Sequence, residues 1–321
     1  MAVTGSGNPY VFAVGCPRSG TTLLQRMLDH HPELAVANDT HFIPHGIDDR
    51  SGLVDPPLTS EHVERVRTYR RFPRLGLSDQ AVCAAARRAR SYGQFVSALY
   101  DAWGRERGKR LAGEKTPDYV RCLPLLHGLF PFARTVHIIR DGRDVALSAL
   151  EWATATKGPG KLALWTEEPV AVCALWWRRQ VVVGRRDAAS VGPTRYREVR
   201  YERLVADPEV ELRSIAAFLD LSYAAEMTAY HVGRTSSQPG LSTKRAWLPP
   251  TPGLRDWRTS MRERDVELFE ALAGDLLSAL DYERLCDSIS PAVEAVASQC
   301  RAWWAREFAR RDLPRQREYV R

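Results

Sequence analysis

The sequence lacks the features that define membrane and secreted proteins. No uninterrupted apolar run approaches the roughly 18 residues that a membrane span needs, because glycine and proline interrupt the uncharged first seventeen residues. The N-terminus also lacks the basic region and apolar segment of a signal peptide. We therefore expect a cytoplasmic protein without a membrane span.

Closely spaced cysteines are lacking as well. The six cysteines lie far apart and form no Cys-x-x-Cys pair, so neither a zinc ribbon nor a redox motif is predicted. We expect reduced, mostly buried thiols. His41 and His45 are spaced to share a helix face, but no third metal ligand is evident. We therefore predict no metal site.

Lysine is scarce, and arginine supplies most of the 46 basic residues in this chain of 321. With 39 acidic residues the net charge is +7, and 44% of residues are hydrophobic, values that exclude long disorder, collagen and coiled coil as the main architecture. A positive balance concentrates anions near a site. Basic and acidic residues are interleaved rather than set in a stripe, which makes nucleic acid a weaker candidate ligand.

Short β-rich apolar runs alternate with helical periodicity along the chain. The pattern predicts strands at 10–14, 34–37, 110–112, 134–139 and 194–199. It predicts helices at 21–30, 141–152, 168–189, 208–218, 262–279 and 291–311, with two or three more between 61 and 107. Alternating strands and helices indicate an α/β fold with a parallel sheet flanked by helices. We expect one domain over 1–289 and a C-terminal helical extension over 290–321.

The first motif is a glycine loop between a predicted strand and a predicted helix. Gly15 and Gly20 frame four residues, the spacing of a phosphate-binding loop, and Thr21-Thr22 open the helix. Such a loop points several N–H groups at one anion beside the positive end of the helix. Position 21 lacks the lysine that nucleotide hydrolases use, whereas Arg18 supplies a positive charge earlier. The loop therefore suits a nucleotide with one 5′ phosphate or phosphosulfate better than a magnesium triphosphate.

The second motif follows the fourth predicted strand. Arg140 stands at the carboxyl end of that strand, where open α/β sheets bind ligands, and Ser148 lies two turns along the next helix. An arginine fork and a hydroxyl can hold one phosphate group between them. Together the two motifs predict two phosphate sites on one nucleotide.

These motifs resemble those of sulfotransferases that use 3′-phosphoadenosine 5′-phosphosulfate (PAPS). Residues 17–22 (Pro-Arg-Ser-Gly-Thr-Thr) are similar to the 5′-phosphosulfate loop, and residues 130–148 to the 3′-phosphate segment. Residues 201–208, followed by 215–221, resemble a later Tyr-Glu-x-Leu…Pro…Phe-Leu-Gly segment, with Asp220 where glycine is usual. His31-Pro32, followed by an acidic residue before Thr40, is similar to the bacterial small-molecule and tyrosylprotein branch.

The resemblance implies a P-loop-containing, sulfotransferase-like sheet with helical insertions and a C-terminal helix. It implies PAPS as cofactor, 3′,5′-adenosine bisphosphate (PAP) as product, and no metal. It places the nucleotide on Arg18, Ser19, Gly20, Thr21, Thr22, Arg140 and Ser148.

For the chemistry, the resemblance implies a base near the acceptor hydroxyl and a cation near the leaving group. Asp39 stands where the branch usually has glutamate, with His41 as the competing base. Lys115 resembles the lysine that meets charge on the leaving group and sulfonate. In the irregular segment 233–258, Ser237 is expected to support the transferring group, and Lys244 and Arg245 to bind nucleotide.

The acceptor is indicated only by composition. Four tryptophans in or near the stretches 42–107 and 152–190 suggest an apolar or aromatic small molecule, such as a phenol or an alcohol in natural-product biosynthesis; they are Trp152, Trp165, Trp176 and Trp177. Peptide tyrosine sulfation and a P-loop kinase of a small metabolite remain alternatives. A non-enzymatic, nucleic-acid-binding role would use the arginines of the C-terminal helix, but Trp303 and Trp304 favour a packing or homodimer element there. We expect no nucleic-acid partner.

Overall fold

A five-stranded parallel sheet organises the part of the chain that positions the functional residues. The computed structural model describes residues 7–47, 55–154, 167–232 and 248–312, without the side chains of 152–154 and 308–312. Within these ranges the strands are β1 (Val11–Val14), β2 (Leu34–Asn38), β3 (Leu111–Lys115), β4 (Arg134–Ile139) and β5 (Tyr196–Arg200). Their order in the sheet is β2-β3-β1-β4-β5. The predicted α/β fold with a parallel sheet is confirmed.

The register brings chemistry-bearing residues to one edge of the sheet. β1 lies at the centre and pairs with both β3 and β4. Asn38 at the end of β2 is opposite Lys115 at the end of β3. The carboxyl ends of two neighbouring strands therefore deliver the segment that begins at Asp39 and the side chain of Lys115 to the same place.

Helices connect and cover the strands. They are α1 (Thr21–Asp29), α2 (Ser60–Thr68), α3 (Asp79–Arg88), α4 (Tyr92–Glu106), α5 (Leu123–Leu129), α6 (Gly142–Thr154), α7 (Pro169–Val191), α8 (Tyr201–Ala206), α9 (Pro208–Phe218), α10 (Trp257–Ser260), α11 (Glu263–Ala279) and α12 (Pro291–Asp312). Asp207 caps α9 by accepting a hydrogen bond from the Val210 N–H at 3.2 Å, as its place before Pro208 predicts. No helix within the described residues combines the length and the apolarity that crossing a membrane requires.

Three local predictions differ from the structure. β3 runs to Lys115 rather than ending at 112, because Glu114 and Lys115 are buried charged residues that an apolar pattern does not count as strand. Pro117 opens a 3₁₀ turn (Pro117–Arg121) before α5, rather than the helix itself. The short α8 was not predicted; it begins directly after β5 with no break in the sequence.

The chain forms two compact units. The first comprises Met1–Cys16, Gly20–Ile139 and Val183–Thr251, and contains the whole sheet. Alternate residues of β1 point into separate apolar clusters: Phe12 and Val14 pack with α2–α4, while Val11 and Ala13 pack with α1, α8 and α9. Both faces of the sheet are covered, which explains why its strands are continuously apolar.

The second unit comprises Pro17–Ser19, Arg140–Val182 and Pro252–Arg321. Its described elements are α6, the first part of α7, and α10–α12. Trp177 is fully buried and packs on Phe269, with ring centroids 5.8 Å apart. Gly142 admits this pair at the start of α6, since a Cβ there would lie 2.5 Å from either ring.

Candidate active site

The loop after β1 has the conformation that a phosphate-binding loop requires. Gly20 has φ 93°, and a Cβ there would lie 2.4 Å from the Tyr201 ring. A Cβ on Gly15 would lie 2.4 Å from the carbonyl oxygen of Ile138. Gly20 is the N-cap of α1 and makes no side-chain capping hydrogen bond. Thr21 and Thr22 form the first turn of α1, whose N–H groups face the loop.

The two sequence motifs meet in the second unit. The Arg18 Nε donates a hydrogen bond of 2.9 Å to the Ser148 Oγ on α6. Arg18 has φ 79°. Ser19 is fully buried, and its Oγ has no hydrogen-bond partner among the described residues. The structure therefore brings a loop residue and a helix residue into contact beside an unsatisfied hydroxyl.

Positive charge is concentrated around Arg18. Burial lowers the pKa of Arg18 to about 10, and the charge of Arg255, followed by that of Arg140, acts in the same direction. Glu151 opposes the shift but does not cancel it. Crowded guanidinium groups repel one another when they are withdrawn from water. An anion bound here would relieve that repulsion.

Arg140 is anchored rather than free to swing. Its Nη2 donates to the Asp144 Oδ2 at 2.8 Å, one turn along α6, and its carbonyl oxygen accepts from the Trp177 Nε1 at 3.1 Å. The other Asp144 oxygen accepts from the Trp257 N–H at 3.0 Å. Burial raises the pKa of Asp144, and the Arg140 charge opposes that rise. The i, i+4 spacing of Arg140 and Asp144 on a predicted helix is the signal that would have found this pair.

A buried charge network supports the same segment. The guanidinium of Arg143 is fully buried, pairs with Asp141 through two hydrogen bonds of 3.1 and 2.8 Å, and donates to Glu270 at 2.8 Å. It also lies 3.5 Å above the ring centroid of Trp257. Trp257 is therefore a packing residue, and its contact with Arg143 fixes the start of α6 against α10 and α11.

Arg255 is the basic residue that the sequence interpretation missed. It forms an ion pair with Glu151 of α6. Both residues line a pocket of about 390 Å³ with Leu147, Leu150 and Ser260. The predicted nucleotide-binding residues of this stretch, Lys244 and Arg245, and the predicted Ser237, lie outside the described residues. No local signal distinguishes Arg255 from the other arginines of its segment.

The predicted base and lysine meet in the first unit. The Lys115 Nζ lies 3.0 Å from the Asp39 Oδ1, and the His41 Nε2 lies 3.9 Å from the same oxygen. The side chain of Lys115 is 1% exposed, whereas those of Asp39 and His41 are 22% and 17% exposed. The Asp39 N–H donates to the Lys115 carbonyl oxygen at 2.7 Å. The carboxylate thus has a buried cation on one side and an accessible imidazole on the other.

His41 is neutral in this setting. Burial lowers its pKa to about 4, and the charge of Arg71 acts in the same direction. Asp118 and Asp39 oppose the shift. An imidazole with this pKa carries no proton at pH 7, so it can accept a hydrogen bond but is a weak base.

The tryptophans do not assemble into one pocket. Trp177 belongs to the core of the second unit and Trp176 is half-buried. Trp165 and the side chain of Trp152 lie outside the described residues. In the stretch 42–107, Phe42, Phe95 and Trp103 pack into the core under the sheet. These aromatics contribute stability, and the acceptor pocket is not identified by them.

Comparison with known proteins decides the family. Residues 9–225 match the model described as "Sulfotransferase family". The chain belongs to that family. Protein-tyrosine sulfotransferase A of Caenorhabditis elegans is 28% identical to this sulfotransferase over 67% of the chain and 51% of that protein. The nodulation protein NoeE of Sinorhizobium fredii is 28% identical over 85% of the chain and 66% of that protein. The chain spans about half the length of the first of these relatives.

Solved structures agree on the fold. The sulfotransferase domain from the curacin biosynthetic pathway superimposes with a TM-score of 0.59 at 19% identity. The match covers 86% of this sulfotransferase and 98% of that domain. The sulfotransferase domain of the Synechococcus olefin synthase gives 0.57 at 21% identity, covering 86% and 95%. The predicted sulfotransferase-like fold is confirmed.

Proposed function

We propose that this sulfotransferase moves the sulfuryl group of PAPS to a hydroxyl of a small-molecule acceptor and releases PAP. The contact between Arg18 and Ser148, at 2.9 Å, carries the proposal, because it joins the two motifs expected to hold the two phosphate groups of one nucleotide. The buried, unsatisfied Ser19 Oγ beside it supports a ligand with acceptor oxygens.

The residues of the loop and of α6 fit such a donor. Arg18, Ser19 and the N–H groups of 20–22 would hold the 5′ phosphosulfate, and Arg140 and Ser148 the 3′ phosphate. The lowered pKa of Arg18, caused first by burial, supports an anionic ligand, because an anion would restore the charged form. When bound, the donor supplies the sulfuryl group. Arg255 is a further candidate contact, through its effect on Arg18.

The residues of the first unit fit the acceptor half of the reaction. Asp39 would take the proton from the acceptor hydroxyl as that oxygen becomes nucleophilic, a role that contributes about 10²–10⁴ in rate. Lys115, held 3.0 Å from Asp39, would balance negative charge as it develops. His41, neutral near pH 7, would orient the hydroxyl rather than take its proton.

A thermal-shift titration tests the donor. We expect PAP at 100 times its dissociation constant to stabilise the protein by about 2.7 kcal/mol, and ATP with Mg²⁺ to stabilise it less. Arg140→Ala should lose the PAP shift. Arg178→Ala, which removes an exposed pair with Asp275 in the same unit, should keep it. A larger shift from ATP with Mg²⁺ would favour the kinase alternative.

Transfer assays test the acceptor and the base. We expect phenols and apolar alcohols to be sulfated in preference to sugars. A tyrosine-containing peptide belongs in the panel, because several relatives are protein-tyrosine sulfotransferases. Asp39→Asn and Lys115→Met should each lower kcat by about 10² or more while the PAP shift persists. Lys109→Met, at a partly buried lysine bonded to the Leu34 carbonyl oxygen, serves as the control and should keep kcat.

A further inference from the structure

A buried carboxyl lies directly beneath the turn that carries the proposed base. Glu114 of β3 is fully buried. Its Oε1 accepts from the Thr40 N–H at 2.9 Å and from the Thr116 Oγ1 at 2.5 Å, and its Oε2 accepts from the Tyr100 hydroxyl at 2.7 Å. Within the described ranges Glu114 forms no ion pair. A carboxyl withdrawn from water without a cation is costly, and burial raises the pKa of Glu114.

The turn above Glu114 is conformationally unusual. Asp39 has φ 57° and His41 has φ 58°, so two non-glycine residues in the left-handed region flank Thr40. Such conformations persist only where the surrounding structure holds them in place. Thr40 is fully buried and lies between the two, which makes its backbone the natural point of restraint.

The other restraints on the turn act at its first residue. The Asp39 N–H donates to the Lys115 carbonyl oxygen, and the Asp39 carbonyl oxygen accepts from the Arg74 Nη1 at 2.9 Å. Arg74 is exposed, so its bond competes with water. The bond from Thr40 to Glu114 is buried at both ends and therefore holds the turn more firmly.

We propose that Glu114 is a positioning residue that acts through the Thr40 N–H to hold Asp39 and His41 in their left-handed conformations. The Asp39 carboxylate is thereby presented to the Lys115 ammonium on one side and to the accessible face of the turn on the other. Glu114 itself is inaccessible and touches no substrate. The effect on rate rests on the proposed function, whereas the effect on the turn does not.

Three variants separate positioning from general stability. Glu114→Leu keeps the size of the side chain but removes every acceptor for the Thr40 N–H. Glu114→Gln retains an amide oxygen in place of that acceptor. Tyr92→Phe is the matched control: this buried tyrosine also lies on α4 and donates 2.7 Å to a backbone carbonyl, that of Ile43, without contacting Glu114.

Two readouts are measured on each full-length variant. Amide hydrogen exchange over 38–43 should quicken at least tenfold in Glu114→Leu and stay within about threefold of wild type in Glu114→Gln and Tyr92→Phe. For transfer, kcat should fall by about 10²-fold in Glu114→Leu, as for a misplaced catalytic group. The KM for PAPS and the PAP thermal shift should change less than twofold, and Glu114→Gln should restore kcat to within about fivefold.

Unchanged exchange and unchanged kcat in Glu114→Leu would overturn the proposal, as would equal losses in Tyr92→Phe. If Glu114→Leu does not fold, Tyr100→Phe replaces it, since it removes the donor to Oε2 and leaves the backbone intact. Its kcat should fall about threefold to tenfold, against no change for Tyr92→Phe. Failure of the wild type to transfer to any acceptor would refute the proposed function, while the exchange comparison would still decide the role of Glu114.

Discussion

Replacing Arg143 with methionine should destabilise the protein far more than removing any exposed arginine. The guanidinium is fully buried, neutralises Asp141 and Glu270, and donates to the carbonyl oxygen of Glu283 at 2.6 Å. Methionine fills much of the volume but leaves two buried carboxylates without a cation. Breaking a buried pair in this way costs about 3–5 kcal/mol, which corresponds to a fall in Tm of roughly 6–20 °C at 2–4 °C per kcal/mol.

The assay is thermal and urea denaturation at pH 7, with two matched variants. Arg178→Met removes an exposed pair with Asp275 and should cost less than about 1 kcal/mol. The double variant Arg143→Met/Glu270→Gln removes one of the stranded charges, so it should recover part of the loss. Equal stability losses in Arg143→Met and Arg178→Met, or no recovery in the double variant, would refute the reasoning that the buried charges depend on Arg143.

Three further perturbations have defined outcomes. Because the folded pKa of His41 is about 4, below the unfolded value, the unfolded state binds more protons and stability falls as pH drops from 6.5 towards 4; urea melts should show His41→Asn relieving about 2 kcal/mol of that loss at pH 5. Gly20→Ala should lower Tm and abolish the PAP shift, because its Cβ meets Tyr201, whereas Gly108→Ala, with φ 68° and open space around it, should lower Tm less and keep the shift. Asp207→Ala should cost about 1 kcal/mol in thermal melts through loss of the α9 cap.

The regular elements could be predicted because their local signals agree with their burial. β1 and β4 are apolar runs that end at glycine or at Arg140, and both are fully covered strands in the structure. The strand β3 was the exception, since its last residues are the buried Glu114 and Lys115. Their burial depends on hydrogen bonds from Tyr100 and Thr40 and on the Asp39 carboxylate, which no local pattern contains.

The candidate site divides in the same way. Arg18, Ser148, Asp39 and Lys115 carried recognisable motifs, and the structure gives them contacts that fit their predicted roles without testing those roles. Asp144 was accessible from helical spacing but was not weighed. Arg255 and Glu114 required the fold, because each acts on a residue more than seventy positions away.

The backbone hand of the turn at 39–41 restricts which amino acids evolution can place there. Aspartate, asparagine and histidine are the non-glycine residues that occupy the left-handed region most readily, and the two residues with positive φ are Asp39 and His41. A glutamate at position 39 would regain the longer carboxylate usual in the related branch, but would lose that backbone tolerance. The shorter side chain and the reversed φ are therefore inherited together, and an acceptor must approach about 1.5 Å closer to the main chain.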